Sequence, residues 1–174
     1  MTSKDISLMI GEVKFNFRVG VVIEYNGKVL IERNPRIDYG VIPGGRVKTL
    51  EDVKSALVRE LREEMHVNFL KRELILQNFI ENFYMFNGTK THEIYVVYRV
   101  RLRKNSPLLK REKLINYDSK ANYYEFVNIK DIDKYKIKPY VLKKYIKNSK
   151  FKTTIVRDIY SKKSKNEEDK NEEE

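Results

Sequence analysis

The sequence predicts an α/β protein in which a mixed β-sheet lies between helices, an α/β/α sandwich. Several stretches rich in β-branched and aromatic residues alternate with polar ones or run continuously apolar, which is typical of strands in a buried sheet. Residues 51–66 instead repeat apolar side chains every three to four positions, the period of an amphipathic helix. A second helix near the C-terminus provides a cover for the other face of the sheet.

The first strands form a hairpin. Residues 14–25 alternate and then become continuously apolar, which predicts a strand entering the sheet. The dipeptide Asn26-Gly27 favours a two-residue turn, so residues 28–32 are the predicted return strand. A loop follows over residues 33–39, broken by Pro35. A short strand over residues 40–42 then leads into the helix.

Glycines and a cap mark the start of that helix. Gly44 and Gly45 supply a turn that other residues resist. We expect Thr49 to be the N-terminal cap, with Glu51 and Asp52 in the first turn, where the helix dipole favours acids.

The second half of the chain adds the remaining strands. Residues 73–86 and 91–102 are predicted strands joined by the Asn87-Gly88 turn. A polar loop over residues 107–115 precedes a strand at 123–129 and a short turn at 132–135. Residues 139–146 are a predicted helix with proline at its first position, and residues 152–156 are a predicted edge strand.

Charge is distributed unevenly along the 174 residues, whose formal net charge is +11. Residues 161–174 hold four lysines and six acids and lack large apolar residues, so we expect a disordered tail after a single domain at residues 1–160. Without the tail the net charge is +13. This excess suits anionic partners such as nucleotides or RNA, although lysine-rich, AT-biased coding produces the same excess without function.

The composition also indicates a compartment. The chain has no cysteine, so it has neither disulfides nor thiol chemistry, which suits a reducing cytoplasm. No apolar run approaches membrane-spanning length, and the N-terminal residues lack a signal-peptide pattern. We therefore expect a cytoplasmic protein that does not bind membranes.

Three glutamates share one face of the predicted helix. Glu60, Glu63 and Glu64 are spaced three and four residues apart, and like charges at that spacing destabilise a helix by about 0.2–0.5 kcal/mol per pair. A hard divalent cation such as Mg²⁺ would compensate them through its preference for oxygen ligands. Taken alone, the three glutamates fit a solvated surface better than a metal site, because 35% of the chain is charged.

The surrounding pattern is more specific. It reads G-x5-E-x7-R-E-hydrophobic-x-E-E-x-x-hydrophobic and is filled by Gly45, Glu51, Arg59, Glu60, Leu61, Glu63, Glu64 and Val67. Such a match has a chance probability on the order of 10⁻⁸ per starting position at average residue frequencies. The stretch resembles the motif of the Nudix hydrolases, which cleave nucleoside diphosphates linked to another group.

The resemblance implies the same α/β/α sandwich and a set of roles for the motif residues. Glu60, Glu63 and Glu64 would bind the metal together with the Gly45 carbonyl, and Glu63 and Glu64 would carry catalysis with Arg59, which orients the cluster. Glu51 would support the loop or reach the metal through a water molecule. Mg²⁺ is the expected ion, with Mn²⁺ as the alternative.

The chain departs from the usual family pattern at three motif positions. His66 stands where the family usually has glycine, and histidine tolerates the left-handed conformation of a helix C-terminal cap. Lys48 and Leu50 stand where many members have glutamate and glycine. These positions affect the predicted substrate more than the predicted chemistry.

One candidate catalytic residue lies outside the motif. Glu93 is a glutamate within a strongly apolar strand, where burial would raise its pKa toward the range of a general base. The alternative is a glutamate on an edge strand or on the open face of the sheet.

Four further residues are candidates for substrate binding. The guanidinium groups of Arg18, Arg33 and Arg46 match phosphate oxygens, although an isolated arginine is more often a surface charge. Tyr84 could stack on a base, although strand aromatics more often belong to the core.

Together these residues predict a Mg²⁺-dependent pyrophosphohydrolase that cleaves the diphosphate linkage of a nucleoside diphosphate derivative, with an ADP-ribose-like compound or a dinucleotide favoured. One alternative is an enzyme that removes pyrophosphate or a cap from RNA 5′ ends, since the body is basic. Another is a Nudix module that binds nucleotides or nucleic acid without catalysis. A homodimer is compatible with the sequence.

Overall fold

Strands dominate the fold. The computed structural model describes residues 3–150 and 152–157. Within them, nine strands form one sheet: β1 Ser7–Ile10, β2 Val13–Tyr25, β3 Lys28–Arg33, β4 Gly44–Arg46, β5 Ile75–Phe86, β6 Thr89–Arg101, β7 Leu114–Ile115, β8 Tyr123–Asn128 and β9 Lys152–Arg157. The helices are α1 Val53–Met65 and α2 Leu142–Lys147, with short 3-10 turns at Lys71–Glu73, Pro107–Lys110 and Ile129–Lys134.

The sheet is mixed, as predicted. Its strand order is β7-β8-β3-β2-β6-β5-β9, and β1 and β4 also pair with β2. The pairs β2–β6 and β5–β9 are parallel, whereas the other strand pairs are antiparallel. The continuously apolar part of β2 therefore lies at the centre of the sheet.

Each face of the sheet has its own core and helix. Alternate residues of β2 point to opposite faces, so Val21 packs with Leu57 and Leu61 of α1, while Val22 packs with Leu142 and Ile146 of α2. This arrangement confirms the predicted α/β/α sandwich. None of the helices in the described residues is both long and apolar enough to cross a membrane.

The edge of β2 has two different neighbours, and this division creates the space for the site. Residues Arg18 to Gly20 pair with β4, whereas Glu24 and Tyr25 pair with β3. Between these two pairings, Val21 N donates to the Pro43 carbonyl at 2.9 Å. Glu32 and Val41 exchange two backbone hydrogen bonds, at 2.8 and 3.1 Å. At Gly44, φ is +148° and an added Cβ would collide with the Val19 backbone, so glycine is required there.

The start of α1 corrects two expectations. The cap is Asp52, whose side chain accepts a hydrogen bond from Ser55 N at 3.0 Å, and Glu51 and Asp52 precede the helix instead of forming its first turn. Thr49 fails as the cap because its hydroxyl accepts from Lys4 N at 3.2 Å. Leu50, with φ at +63°, breaks the helical path between Thr49 and Asp52.

Other boundaries also differ from the predictions. The strand expected at residues 40–42 is reduced to isolated bridges at Gly40 and Val41, and the strand β4 begins only at Gly44. The strand expected to begin at Glu73 begins at Ile75, after a 3-10 turn. Helix α2 begins at Leu142, so Pro139 lies outside it. The sequence did not predict β1, whereas the edge strand near residue 152 is present. The predicted tail at 161–174 lies outside the described residues.

Candidate active site

Arg59 forms hydrogen bonds with three acidic side chains, one just before α1 and two within it. Its guanidinium donates to both carboxylate oxygens of Glu51, at 2.8 and 2.9 Å, and to the Arg46 carbonyl at 3.0 Å. The same group donates to Glu60 at 2.7 Å and to Glu63 at 3.0 Å. Arg59 hydrogen bonding lowers the pKa of Glu51. The Arg59 guanidinium therefore links the loop before α1 to the helix.

Glu60 lies directly against β4. A Cβ added at Gly45 would collide with the Glu60 carboxylate, so only glycine leaves room for this approach. The Glu60 side chain is 13% exposed, and its burial raises its pKa although Arg59 opposes the shift. The motif glycine thus places a half-buried carboxylate beside the backbone of β4.

Glu64 lies one helical turn beyond Glu60, in a hydrogen-bonded network of neutral donors. Tyr124 donates its hydroxyl proton to Glu64 Oε2 at 2.8 Å, and Asn116 Nδ2 donates to the Tyr124 oxygen at 2.9 Å. Asn116 Nδ2 and Asn122 Nδ2 also donate to Glu32 Oε1, at 3.0 and 2.6 Å. Burial, together with the charge of Glu32, raises the pKa of Glu64 to about 8.

The donor set fits a hard divalent cation. Glu60, Glu63 and Glu64 offer carboxylate oxygens, the ligand type that Mg²⁺ prefers, and the Gly45 backbone is adjacent. Arg59 or Tyr124 holds one oxygen of each glutamate, which leaves the second oxygen of each for a cation. In the described residues no three acidic or histidine side chains stand close enough together to hold an ion without side-chain movement.

A cavity of about 270 Å³ adjoins Glu64 and is lined by residues of β2, β3, β4 and the loop between β3 and β4. Two predicted substrate-binding residues, Arg18 and Arg33, line it together with Glu64 and Gly44. Glu32 and Asn122 form another part of its wall. The structure therefore brings the last motif glutamate and two of the three candidate arginines to one opening.

Both arginines are already paired with carboxylates. Arg33 donates to Glu125 at 2.6 Å and lies 5.1 Å from the ring centre of Tyr135. Arg18 lies 3.9 Å from Glu93. The cavity wall thus contains guanidinium donors without a large excess of positive charge.

Glu93 is not part of the α1 cluster. It lies in β6, between β2 and β5, with 3% of the residue exposed, so the edge-strand and open-face alternatives are wrong. Strand alternation places it with Tyr95 on the face covered by α2, opposite α1. Its oxygens accept from Asn82 Nδ2 and from the Tyr84 hydroxyl, each at 3.2 Å.

Two other predicted binding residues lie away from the cavity wall. The side chain of Arg46 is 43% exposed, and its guanidinium lies 3.7 Å from the Asp5 carboxylate. The Tyr84 hydroxyl is directed to Glu93, and burial raises the pKa of Tyr84 to about 12. Tyr84 therefore acts as a hydrogen-bond donor within the sheet. That it stacks on a nucleotide base stays a prediction.

The sequence interpretation missed Glu32, Asn116, Asn122 and Tyr124. Glu32 had a usable signal, since it ends an apolar strand as Glu93 interrupts one. The other three gave none, because the glutamates that they contact are 60 to 90 residues away in the chain.

The far end of α1 is closed by His66 and a following loop. His66 adopts φ +51°, its N–H bonds to the Arg62 carbonyl at 3.0 Å, and its ring stacks on Tyr117 with centres 3.7 Å apart. Tyr117 N donates to the Glu64 carbonyl at 2.8 Å. The expected left-handed cap is therefore present, with a stacked aromatic ring supporting it.

Comparisons with known proteins identify the family. Residues 14–146 match the model of the NUDIX domain, which is most of the chain. No curated protein sequence matches.

Solved structures share the fold at low identity. The mutator MutT protein of Bacillus halodurans has a TM-score of 0.60 at 14% identity, over 80% of this chain and 88% of that one. A MutT protein of Methanosarcina mazei has a TM-score of 0.55 at 16% identity, over 76% and 90%. A NUDIX hydrolase of Nitrosomonas europaea has 0.54 at 18%, over 82% and 78%.

These similarities concern the fold, whereas the domain match covers the loop and helix that carry Gly45, Arg59 and the three glutamates. Nudix hydrolases cleave pyrophosphate bonds and generally require a divalent metal ion. The chain belongs to the Nudix hydrolase family.

Proposed function

We propose that the protein is a Mg²⁺-dependent pyrophosphohydrolase of a nucleoside diphosphate derivative, with an ADP-ribose-like compound or a dinucleotide as substrate. The observation that carries the proposal is the excess of carboxylates around one guanidinium at α1. Glu51, Glu60 and Glu63 share Arg59, while Glu64 has only a neutral donor. A bound divalent cation neutralises diphosphate charge and lowers the pKa of a bound water.

The residues of α1 have distinct roles in this proposal. Glu60, Glu63 and Glu64 bind the cation through the oxygens that Arg59 and Tyr124 leave available, and the Gly45 carbonyl contributes a further ligand. Arg59 keeps Glu60 and Glu63 on one side of the helix, and Glu51 fixes Arg59 through two hydrogen bonds. Mn²⁺ has the same preference for oxygen ligands and is the alternative ion.

The cavity beside Glu64 holds the remainder of the substrate. Arg18 and Arg33 present guanidinium donors to phosphate oxygens, a geometry that arginine matches with two parallel bonds. Each arginine has its own carboxylate partner, so the cavity has little net positive charge. This balance supports a substrate whose charge is confined to the diphosphate over a long polyphosphate or RNA.

The polar groups of the cavity support a sugar-like group beyond the diphosphate. Asn34 Nδ2 donates to Asn122 Oδ1 at 2.6 Å, and Asn122 donates in turn to Glu32. Amide and carboxylate groups of this kind bind hydroxyls as both donors and acceptors. An ADP-ribose-like compound provides such hydroxyls next to its diphosphate.

We propose that Glu93 is the counter-charge of Arg18 and not the general base that activates the attacking water. Both of its oxygens already accept hydrogen bonds, and its side chain is 4% exposed. A general base must come within hydrogen-bonding reach of the proton that it abstracts. Glu93 instead provides the negative charge that holds Arg18 at the cavity.

A turnover screen tests the proposed function. The native protein would be incubated with Mg²⁺ or Mn²⁺ and a panel containing ADP-ribose, dinucleoside polyphosphates, nucleoside triphosphates and 5′-triphosphorylated RNA. We expect metal-dependent cleavage of ADP-ribose or a dinucleotide, and a loss of roughly 10³-fold in kcat for Glu64→Gln, since a metal is worth several kcal/mol.

The control is Glu12→Gln, which removes an exposed carboxylate in the turn before β2. It should retain native turnover. If no compound is cleaved and neither ion changes the melting temperature of the native protein, the proposed function is wrong. Preferential cleavage of the RNA would favour the RNA 5′-end alternative.

A further inference from the structure

The Tyr124 hydroxyl contacts the last motif glutamate from outside the motif. Tyr124 lies in β8, is 4% exposed, and donates to Glu64 Oε2 at 2.8 Å. Neither Glu64 nor Glu32 forms an ion pair with a basic side chain among the residues described, so neutral donors hold both carboxylates.

Asn116 fixes the direction of this contact. Its Oδ1 accepts from the backbone N–H groups of Asp118 and Ser119, both at 2.9 Å, which anchors the amide in a turn. A flipped amide would place its NH₂ group against those two donors, so the observed orientation is enforced. Asn116 Nδ2 must therefore point at the Tyr124 oxygen and at Glu32 Oε1.

A proton count then determines what Tyr124 does. The Tyr124 oxygen receives a hydrogen bond from Asn116 Nδ2, and a phenol has a single proton to donate. That proton is directed to Glu64 Oε2. Glu64 Oε2 is consequently engaged as an acceptor, and Oε1 is the oxygen left for a cation.

The turn is attached to the helix that it serves. Tyr117 N, next to Asn116, donates to the backbone carbonyl of Glu64 at 2.8 Å. Arg111 donates to the His66 carbonyl at 3.2 Å and to the Met65 carbonyl. The carboxylate and the backbone of Glu64 are thus held by one segment.

We infer that Tyr124 and Asn116 are positioning residues that orient Glu64 so that its Oε1 binds the divalent cation. Asn116 is anchored in the turn at 116–119 and Tyr124 lies in β8. They are 52 and 60 positions away from Glu64 in the chain and are outside the motif. Groups that orient a metal ligand change metal affinity by roughly 10- to 100-fold when removed. This role rests on the proposed function, since it requires Glu64 to bind the ion.

Metal affinity of Tyr124→Phe provides the test. The variant removes one hydroxyl and keeps the ring, and Mn²⁺ binding would be measured by electron paramagnetic resonance without substrate. We expect a loss of roughly 10- to 100-fold in Mn²⁺ affinity. The matched control is Tyr123→Phe, the adjacent tyrosine, which is 41% exposed and should bind Mn²⁺ as the native protein does.

A double-mutant cycle separates positioning from general destabilisation. In the Glu64→Gln background, Tyr124→Phe should cause no further loss of Mn²⁺ affinity, because its effect passes through the Glu64 carboxylate. Unchanged affinity in the single variant, or an equal loss in both backgrounds, overturns the inference. Should Tyr124→Phe fail to fold, Asn116→Asp replaces the amide donor by an acceptor that competes for the Tyr124 proton, with the same expected loss.

Failure of the inference differs from failure of the proposed function. If native protein binds Mn²⁺ and Tyr124→Phe binds it equally well, only the positioning role is wrong. If native protein binds no Mn²⁺ and cleaves none of the compounds, both are wrong.

Discussion

Two acidic regions on opposite faces of the sheet differ in how their charge is balanced. On the α1 face, Glu51, Glu60 and Glu63 share the single guanidinium of Arg59, and Glu64 has no basic partner in the described residues. On the α2 face, Glu93 faces one guanidinium and accepts two neutral hydrogen bonds. The first region has surplus negative charge, and the second is balanced.

The backbone differs in the same way. Glu93 and its partners lie in regular strands, whereas α1 is bounded by Leu50 and His66, both with φ above +50°. Residues other than glycine rarely adopt this backbone conformation, because their Cβ approaches the following carbonyl. Surplus charge and backbone strain thus coincide where a cation is expected, which is typical of a site maintained at a cost in stability. The α2-face region shows neither property.

The largest effect expected on the α2 face tests whether the balanced region acts on catalysis only through Arg18. Glu93→Gln removes the counter-charge of Arg18 but keeps an acceptor for Tyr84. We expect KM to rise roughly tenfold, the equivalent of about 1.4 kcal/mol, with kcat changed by less than about threefold. Steady-state kinetics on the substrate identified by the screen would measure both constants.

A general base at Glu93 would give the opposite division. It predicts a kcat lower by roughly 10²–10⁴-fold and the loss of one limb of the pH–rate profile. The control is Glu81→Gln, one strand away, where the glutamate pairs with His92 at 3.0 Å. Native kinetics in Glu81→Gln together with a large kcat loss in Glu93→Gln would restore the base role.

The same contrast explains what the sequence could predict. The α1 cluster is encoded within about 20 consecutive residues, so helix periodicity alone places Glu60, Glu63 and Glu64 on one face. The partners of Glu93 depend on strand register, which pairs Asn82 and Asn16 with it from 11 and 77 residues away. Register is set by the whole sheet, and a local pattern does not contain it.

Competition between equivalent residues explains the helix start. Thr49 and Asp52 are both suitable caps by residue type. The choice falls to Asp52 because the N-terminal segment occupies Thr49, with Ser3 Oγ donating to its carbonyl at 3.0 Å and Lys4 N to its hydroxyl at 3.2 Å. That contact spans more than 40 residues, so sequence near the helix could not reveal it.

A second prediction uses pH to separate the two regions in metal-free protein. Burial raises the pKa of Glu64 to about 8, with Glu32 adding to the shift, while burial also raises the pKa of Glu60. Between about 4.3, the pKa of an unfolded glutamate, and about 8, the folded state binds more protons than the unfolded chain. The stability from this proton uptake is complete below the unfolded pKa and is lost as pH rises toward 8.

Melting temperatures in a chelator at pH 5.5 and 8.5 measure this loss. We expect the native protein to lose more stability across this range than Glu64→Gln, since the variant has no carboxyl group at position 64 to ionise. Glu12→Gln should follow the native protein. Mg²⁺ at ten times its dissociation constant should add about 1.4 kcal/mol, or roughly 3–6 °C, at the higher pH. Parallel pH dependences in native protein and Glu64→Gln would contradict the role of Glu64.

The smallest expected effect concerns the strain at the two ends of the α1 region. Leu50 has φ +63° and a fully exposed side chain, so nothing offsets its left-handed conformation. His66 has φ +51°, but its ring stacks on Tyr117. Such a ring pair contributes about 0.5–1.5 kcal/mol. Glycine should therefore help at Leu50 and not at His66.

Leu50→Gly relieves a strain of about 1–2 kcal/mol and adds up to about 1 kcal/mol of unfolded-state entropy. The net gain of about 0.5 kcal/mol corresponds to a rise of roughly 1–2 °C in melting temperature for a domain of this size. His66→Gly should leave the melting temperature unchanged or lower it, because the stacking is lost. Leu50→Ala is the control, since alanine removes the exposed leucine but keeps the Cβ and its strain. If Leu50→Ala stabilises the protein as much as Leu50→Gly does, the gain comes from removing an exposed apolar side chain, and the loop before α1 stores no strain.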